Sequence, residues 1–102
     1  MRMTHATVAV AIALLEDLGA RQWGYDLGKR AGVRPGVLYP VLHRMFDEGW
    51  LSDGWEEHTP DAKRPPRRYY EVTEKGVREL GAFVDHAKRD ARFLSLRPAS
   101  AS

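Results

Sequence analysis

Pro35-Gly36-Val37-Leu38-Tyr39-Pro40-Val41-Leu42-His43-Arg44-Met45-Phe46-Asp47-Glu48-Gly49 is the stretch on which the fold turns. Proline suits the first position of a helix, where its missing N–H would have no intrahelical partner anyway, and glycine suits the residue past the end. Between them Leu38, Val41, Leu42 and Met45 recur at i, i+3, i+4 and i+7, a stripe that has to face a core. Tyr39, Pro40, His43, Arg44 and Asp47 fall on the opposite side. The spacing predicts a helix over 35–48 with one buried face and one polar, aromatic face. Pro40, one turn in, removes a single backbone bond from it.

Working upstream, residues 23–31 read as a short helix with Leu27 inward, Lys29 and Arg30 outward, and Trp23 wedged against the core. Gly32 ends it, and Val33-Arg34 makes a tight connection. A short helix, a tight turn and an amphipathic helix form the organisation of a helix-turn-helix. Before it, Thr4 is placed to cap a helix running to about Leu18 and closed by Gly19. That helix is apolar around nearly its whole circumference, from Val8 through Leu15, so it has to be covered on more than one side. In so small a domain this points to a subunit interface. The apolar run is too short to span a bilayer, and Glu16 and Asp17 follow it directly, so a buried helix explains it better than a membrane or signal segment.

Downstream of Gly49 the pattern changes to strands. Residues 55–59 and 68–72 read as two strands around a tip, 60–66, whose residues are turn-forming and basic. Such a hairpin is marginal alone, so it is expected to lean on the helices through Trp55 and one of its tyrosines. Thr73 then caps a last helix expected to reach about Leu94. Its stripe of Val77, Leu80, Val84, Ala87, Ala91 and Leu94, with Phe83 beside it, must pack on the first helix, on a second copy, or on both. The fold class is therefore mostly α with a two-stranded β wing: a winged helix-turn-helix over 1–73, a C-terminal dimerisation helix over 74–96, and a disordered tail over 97–102.

Bulk composition bounds the function. The chain has 102 residues, enough for one core, with 43% hydrophobic and 29% charged residues and no cysteine. Disulfides and thiolate metal sites are excluded, and a cytoplasmic setting is suited. The net charge of +2 hides an uneven distribution. From Arg21 to Arg44 five basic residues face one acid, Asp26, and Lys63, Arg64, Arg67 and Arg68 put four positive charges within six residues. A polyanion responds to such local potential more than to the total. The histidines His5, His43, His58 and His86 are scattered, with no ligand spacing between them, so no metal or other cofactor is expected. No serine or threonine stands beside a suitable histidine and acid, and no glycine loop cradles a phosphate, so no enzyme is expected.

Several separate blocks resemble the PadR family of regulators: Trp23-Gly24-Tyr25-Asp26-Leu27, the run from Pro35 to Met45, Gly49-Trp50-Leu51, the segment from Arg64 to Tyr70, and Val72-Thr73-Glu74-Lys75-Gly76. The resemblance implies dimers built by the C-terminal helix, a third helix in the major groove and a basic wing against phosphates. Many such proteins are repressors released by small aromatic or hydrophobic effectors. With one C-terminal helix, the chain looks like the shorter subfamily. That helix lacks a tryptophan, which weakens the expectation of an aromatic effector held between indoles. The residues expected to meet double-stranded DNA are Arg34, Tyr39, His43, Arg44, Lys63, Arg64, Arg67 and Arg68. Those expected at a homodimer interface are Val8, Ile12, Leu15, Leu80, Phe83, Val84, Ala87 and Leu94. Phe83 and Phe93 are the candidates for an effector pocket, or for plain interface packing. The function expected is a sequence-specific dimeric repressor on a palindromic operator. The alternative is a winged-helix module that binds a protein partner and no DNA, although an exposed apolar face would suit it better than this basic one.

Overall fold

The computed structural model describes residues 1–96, with side chains through Phe93. The order is α1 (His5–Leu15), β1 (Gln22–Trp23), α2 (Gly24–Ala31), α3 (Pro35–Asp47), β2 (Leu51–Trp55), β3 (Arg68–Val72), α4 (Glu74–Lys88) and a 3₁₀ helix (Ala91–Leu96). The expected disordered tail lies outside the described residues.

Thr4 caps α1 as expected, its hydroxyl accepting the Thr7 N–H at 3.1 Å. The helix stops at Leu15, before the expected Leu18, because its terminal carbonyls are taken by side chains. Gln22, 2% exposed, donates its amide to the carbonyls of Leu14 at 2.9 Å and Asp17 at 3.0 Å. Arg30 donates to the Ala13 carbonyl at 3.0 Å and to the Gln22 amide oxygen at 2.9 Å. Arg30 is exposed, as expected, and its side chain reaches from α2 across to the end of α1. A cation also belongs at a helix C-terminus on electrostatic grounds.

The apolar circumference of α1 is covered by α2, α3, α4 and the 3₁₀ helix of its own chain. Leu80, Val84 and Ala87 of α4 share one core with Val8, Ile12, Leu38 and Leu42. The last helix is a wall of the core and not an appendage. Val77, placed on its stripe from the sequence, is 42% exposed instead. α4 also ends at Lys88, short of Leu94. Asp90 accepts the backbone N–H of Arg92 at 3.0 Å, and the turned chain buries Phe93 edge-on against His5 at 5.0 Å. The Arg92 side chain beside Asp90 holds that carboxyl down to about 2.

Gly32, at φ 68°, closes α2, and Arg34 leads in extended backbone to Pro35 at the start of α3. The buried residues of α3 are Leu38, Val41, Leu42 and Met45, the four the periodicity picked out. The sheet has three strands where two were expected, in the order β1-β3-β2, all antiparallel. Trp23, expected to open α2, pairs in β1 with Tyr69. β2 also sits at 51–55 and not at 55–59. Ser52-Asp53-Gly54 resembles a turn in sequence, but Arg68 holds Asp53 and the Tyr69 ring covers Gly54. Tyr70 is the residue that leans on the core, 3% exposed, whereas Trp55 is 65% exposed.

The end of α3, the base of the wing and the start of α4 meet at one point. The Trp50 carbonyl accepts the Thr73 N–H at 3.0 Å, and the Thr73 hydroxyl donates to the Gly49 carbonyl at 2.7 Å. A Cβ at Gly76 would collide with the Trp50 carbonyl oxygen, which is backbone and cannot swing aside. Gly76→Ala is therefore expected to cost about 1–3 kcal/mol. Gly81→Ala, mid-helix with open space around it, is expected to stabilise by up to about 1 kcal/mol. Urea unfolding of the two variants checks the opposite signs. Gln22→Ala leaves buried carbonyls without donors and is expected to cost about 1–3 kcal/mol, lowering Tm by roughly 4–8 °C for each. A calorimetric Tm equal to that of the parent would refute the capping role.

Candidate nucleic-acid interface

The exposed face of α3 carries Tyr39, Pro40, His43 and Arg44, with Arg34 at its start. Tyr39 is 45% exposed and not loose. Its ring lies across Gly24, where a Cβ would come within 2.5 Å of the phenol oxygen. It also stands close enough to Tyr70 to act on that phenol, whose pKa is raised chiefly by burial. His43 is tied along the helix, its Nε2 3.4 Å from the Asp47 carboxylate. Among the described residues, Arg34 and Arg44 have no carboxylate partner within ion-pair distance. Val37, 43% exposed on the first turn of α3, joins this face without having been among the expected contacts.

The wing divides its four cations into two kinds. Arg68 is expected at phosphate, but strand alternation puts it on the same sheet face as Asp53, to which it donates through Nε at 2.6 Å. Its guanidinium also lies over the Tyr70 ring, 5.5 Å from the centroid. Of the four wing cations expected at phosphate, Arg68 thus has its charge met inside the hairpin. Arg64 pairs with Glu56, whose carboxyl is thereby held below its ordinary range. Lys63 and Arg67 have no acidic partner among the described residues. Arg67 is set over the Trp23 ring at 5.7 Å, and Arg21 over Tyr69 at 4.3 Å, on the outer face of the sheet. These stacks were not legible in sequence, because β1 was not.

The interface candidates fare differently. Val8, Ile12, Leu80, Val84 and Ala87 are 9% exposed or less, packed within one chain. Their assignment to a subunit interface is corrected, since surface already covered cannot meet a partner. Leu15 and Phe83 remain half-buried, and the side chain of Leu94 lies outside the described residues. Phe83 and Phe93 do not line a common pocket. Phe93 is sealed beneath His5, while Phe83 tilts against Trp50 at 6.2 Å and borders an open groove with Met1, Met3 and His86. Among the described residues no helix is long and apolar enough to cross a membrane, and no group of acids and histidines is placed to hold a metal.

Solved structures share this architecture. The smu.1704 protein of Streptococcus mutans superposes with a TM-score of 0.67 at 20% identity, over 93% of this chain and 91% of the other. A PadR-like transcription factor from Bacteroides fragilis gives 0.62 at 29% identity, over 89% of each. ZitR of Lactococcus lactis, solved in complex with DNA, gives 0.58 at 10% identity, over 93% of this chain and 60% of the other. No curated protein matches the sequence. The model of the PadR-like family of transcriptional regulators matches residues 14–82, from the end of α1 through α2, α3, the wing and most of α4. The chain belongs to that family.

Proposed function

We propose that the chain is a sequence-specific DNA-binding transcriptional regulator, a cytoplasmic dimer that represses from a palindromic operator. The observation that carries the reading is the exposed face of α3, polar and aromatic, flanked by cations without an ion-pair partner among the described residues. Arg34 and Arg44 stand on that helix, and Lys63 and Arg67 on the wing. A helix-turn-helix lays its second helix in the major groove, and phosphate contacts from flanking cations fix its register. ZitR, which has the same fold, is seen bound to DNA. A protein-binding module, the alternative, would have little use for Arg34 and Arg44 beside the exposed Val37 and Tyr39, or for the cations of the wing.

A dimer would present its recognition helices about one turn of duplex apart, ~34 Å. The apolar surface still open for such contact is Val77, Leu15 and Phe83 on α1 and α4. A small hydrophobic or aromatic effector would act by shifting the population between dimers that fit this spacing and dimers that do not.

Binding of a labelled duplex at two salt concentrations tests the reading. The slope of log K against log salt is expected to lose about 0.9 for each phosphate contact removed. Arg67→Ala and Lys63→Ala are expected to flatten it. Arg68→Ala is expected to leave the slope nearly unchanged and to loosen the hairpin instead. A folded protein that fails to bind duplex at low salt would overturn the proposal in favour of the protein-binding module. Sedimentation equilibrium is expected to give a dimer, and a monomer at micromolar concentration would remove the two-fold operator from the reading.

A further inference from the structure

Of the three tryptophans, two have evident work inside the protein. Trp50 is 6% exposed in the core, and Trp23 is stacked edge-on to Tyr69 at 5.6 Å. Trp55 is 65% exposed, and no aromatic or cationic partner for it occurs among the described residues. A large indole in that state at the end of a regular strand contributes little to folding.

Its direction follows from the register. Leu51, Asp53 and Trp55 alternate onto one face of the hairpin, opposite Val72, Tyr70 and Arg68. Leu51 and Tyr70 make that face the core-facing side, so Trp55 continues it outward past the end of the core. Tyr70 on the same side is buried in the core. The indole therefore stands beyond the core at the far end of the wing's core-facing side. Arg68, which could have folded over it, is drawn down onto Tyr70 by Asp53. Arg68 stands across from the ring on the same face, paired with Asp53, while Arg67 lies over Trp23 on the other face and Lys63 in the tip.

We propose that Trp55 is a DNA-contacting residue of the wing, packing its ring on a deoxyribose and donating its indole N–H to a phosphate oxygen. The assignment rests on the DNA-binding reading above and adds to it a contact that carries no charge. A single exposed ring at the basic end of the wing fits a sugar-phosphate chain, which offers apolar sugar edges between anionic acceptors. It fits a protein partner poorly, because Glu56, Arg67 and Arg68 beside it in the hairpin are charged.

The experiment uses the full chain and a random-sequence duplex three helical turns long, with labelled-duplex anisotropy and acrylamide quenching of tryptophan emission. Trp55 is the solvent-exposed indole, so quenching in the free protein reports mainly on it. Saturating duplex is expected to lower the quenching constant to that of Trp55→Phe. Trp55→Ala is expected to bind about tenfold more weakly with an unchanged salt slope, since no phosphate charge contact is lost. Trp55→Phe is expected to recover part of that loss. Circular dichroism matching the parent shows that the variants fold. Parent binding with quenching unchanged, or Trp55→Ala binding within about twofold, would overturn the contact and leave the regulator reading standing. A flatter salt slope in Trp55→Ala would also overturn it, by tracing the loss to displaced arginines. Absence of parent binding at low salt would overturn both.

Discussion

The arrangement of the head depends on how the C-terminus of α1 is satisfied. A helix leaves its last carbonyls without intrahelical donors, and where such a carbonyl is buried, as at Leu14, an unmet acceptor is costly. Gln22 and Arg30 supply those donors from two different elements. The Gln22 amide sits in β1 and so fixes where that strand lies against β3. The Arg30 guanidinium sits on the last turn of α2 and so fixes how that helix crosses α1. α3 follows α2 after a turn closed by Gly32, and its exposed face inherits the same frame. Two side chains thus register three helices and the sheet.

How much of this was legible depends on whether the signal was local. The α3 helix could be read in full, because its proline start, its glycine end and its 3.6-residue period all lie within one stretch. β3 was legible for the same reason, through Tyr69-Tyr70 and Val72. β1 was not, since two residues carry no period and pair with a strand far away in sequence. Missing β1 also misplaced Trp23, which pairs in it with Tyr69. The end of α4 was misjudged because Asp90 and His5 stop it by contacts outside the helix. Apolar stripes showed which residues are buried and were silent on what buries them. For Val8, Ile12 and Leu80 the answer is the same chain.

The wing illustrates a similar limit for charge. Composition counts four cations there, but a count does not say which are already answered. Asp53 lies well before Arg68 in sequence and opposite Tyr70 in register, so its pairing with Arg68 emerges only from the diagonal geometry of antiparallel strands. Glu56 meets Arg64 because the hairpin continues one residue past β2, through the Glu56 N–H to the Arg67 carbonyl at 2.9 Å. The pairs hold the hairpin straight and leave Lys63 and Arg67 as the open charges. Rigidity and attraction come from different members of one basic cluster.

The junction at Trp50, Thr73 and Gly76 has a mechanical consequence. α4 begins directly on the backbone that ends α3 and starts β2, with no slack residue between cap and sheet and no side chain at Gly76 to act as a cushion. A lever clamped in this way transmits torque in place of absorbing it. Any load that tilts α4, from a second subunit or from a molecule lodged beside Phe83, is delivered as rotation to the root of the wing, about one helix length away.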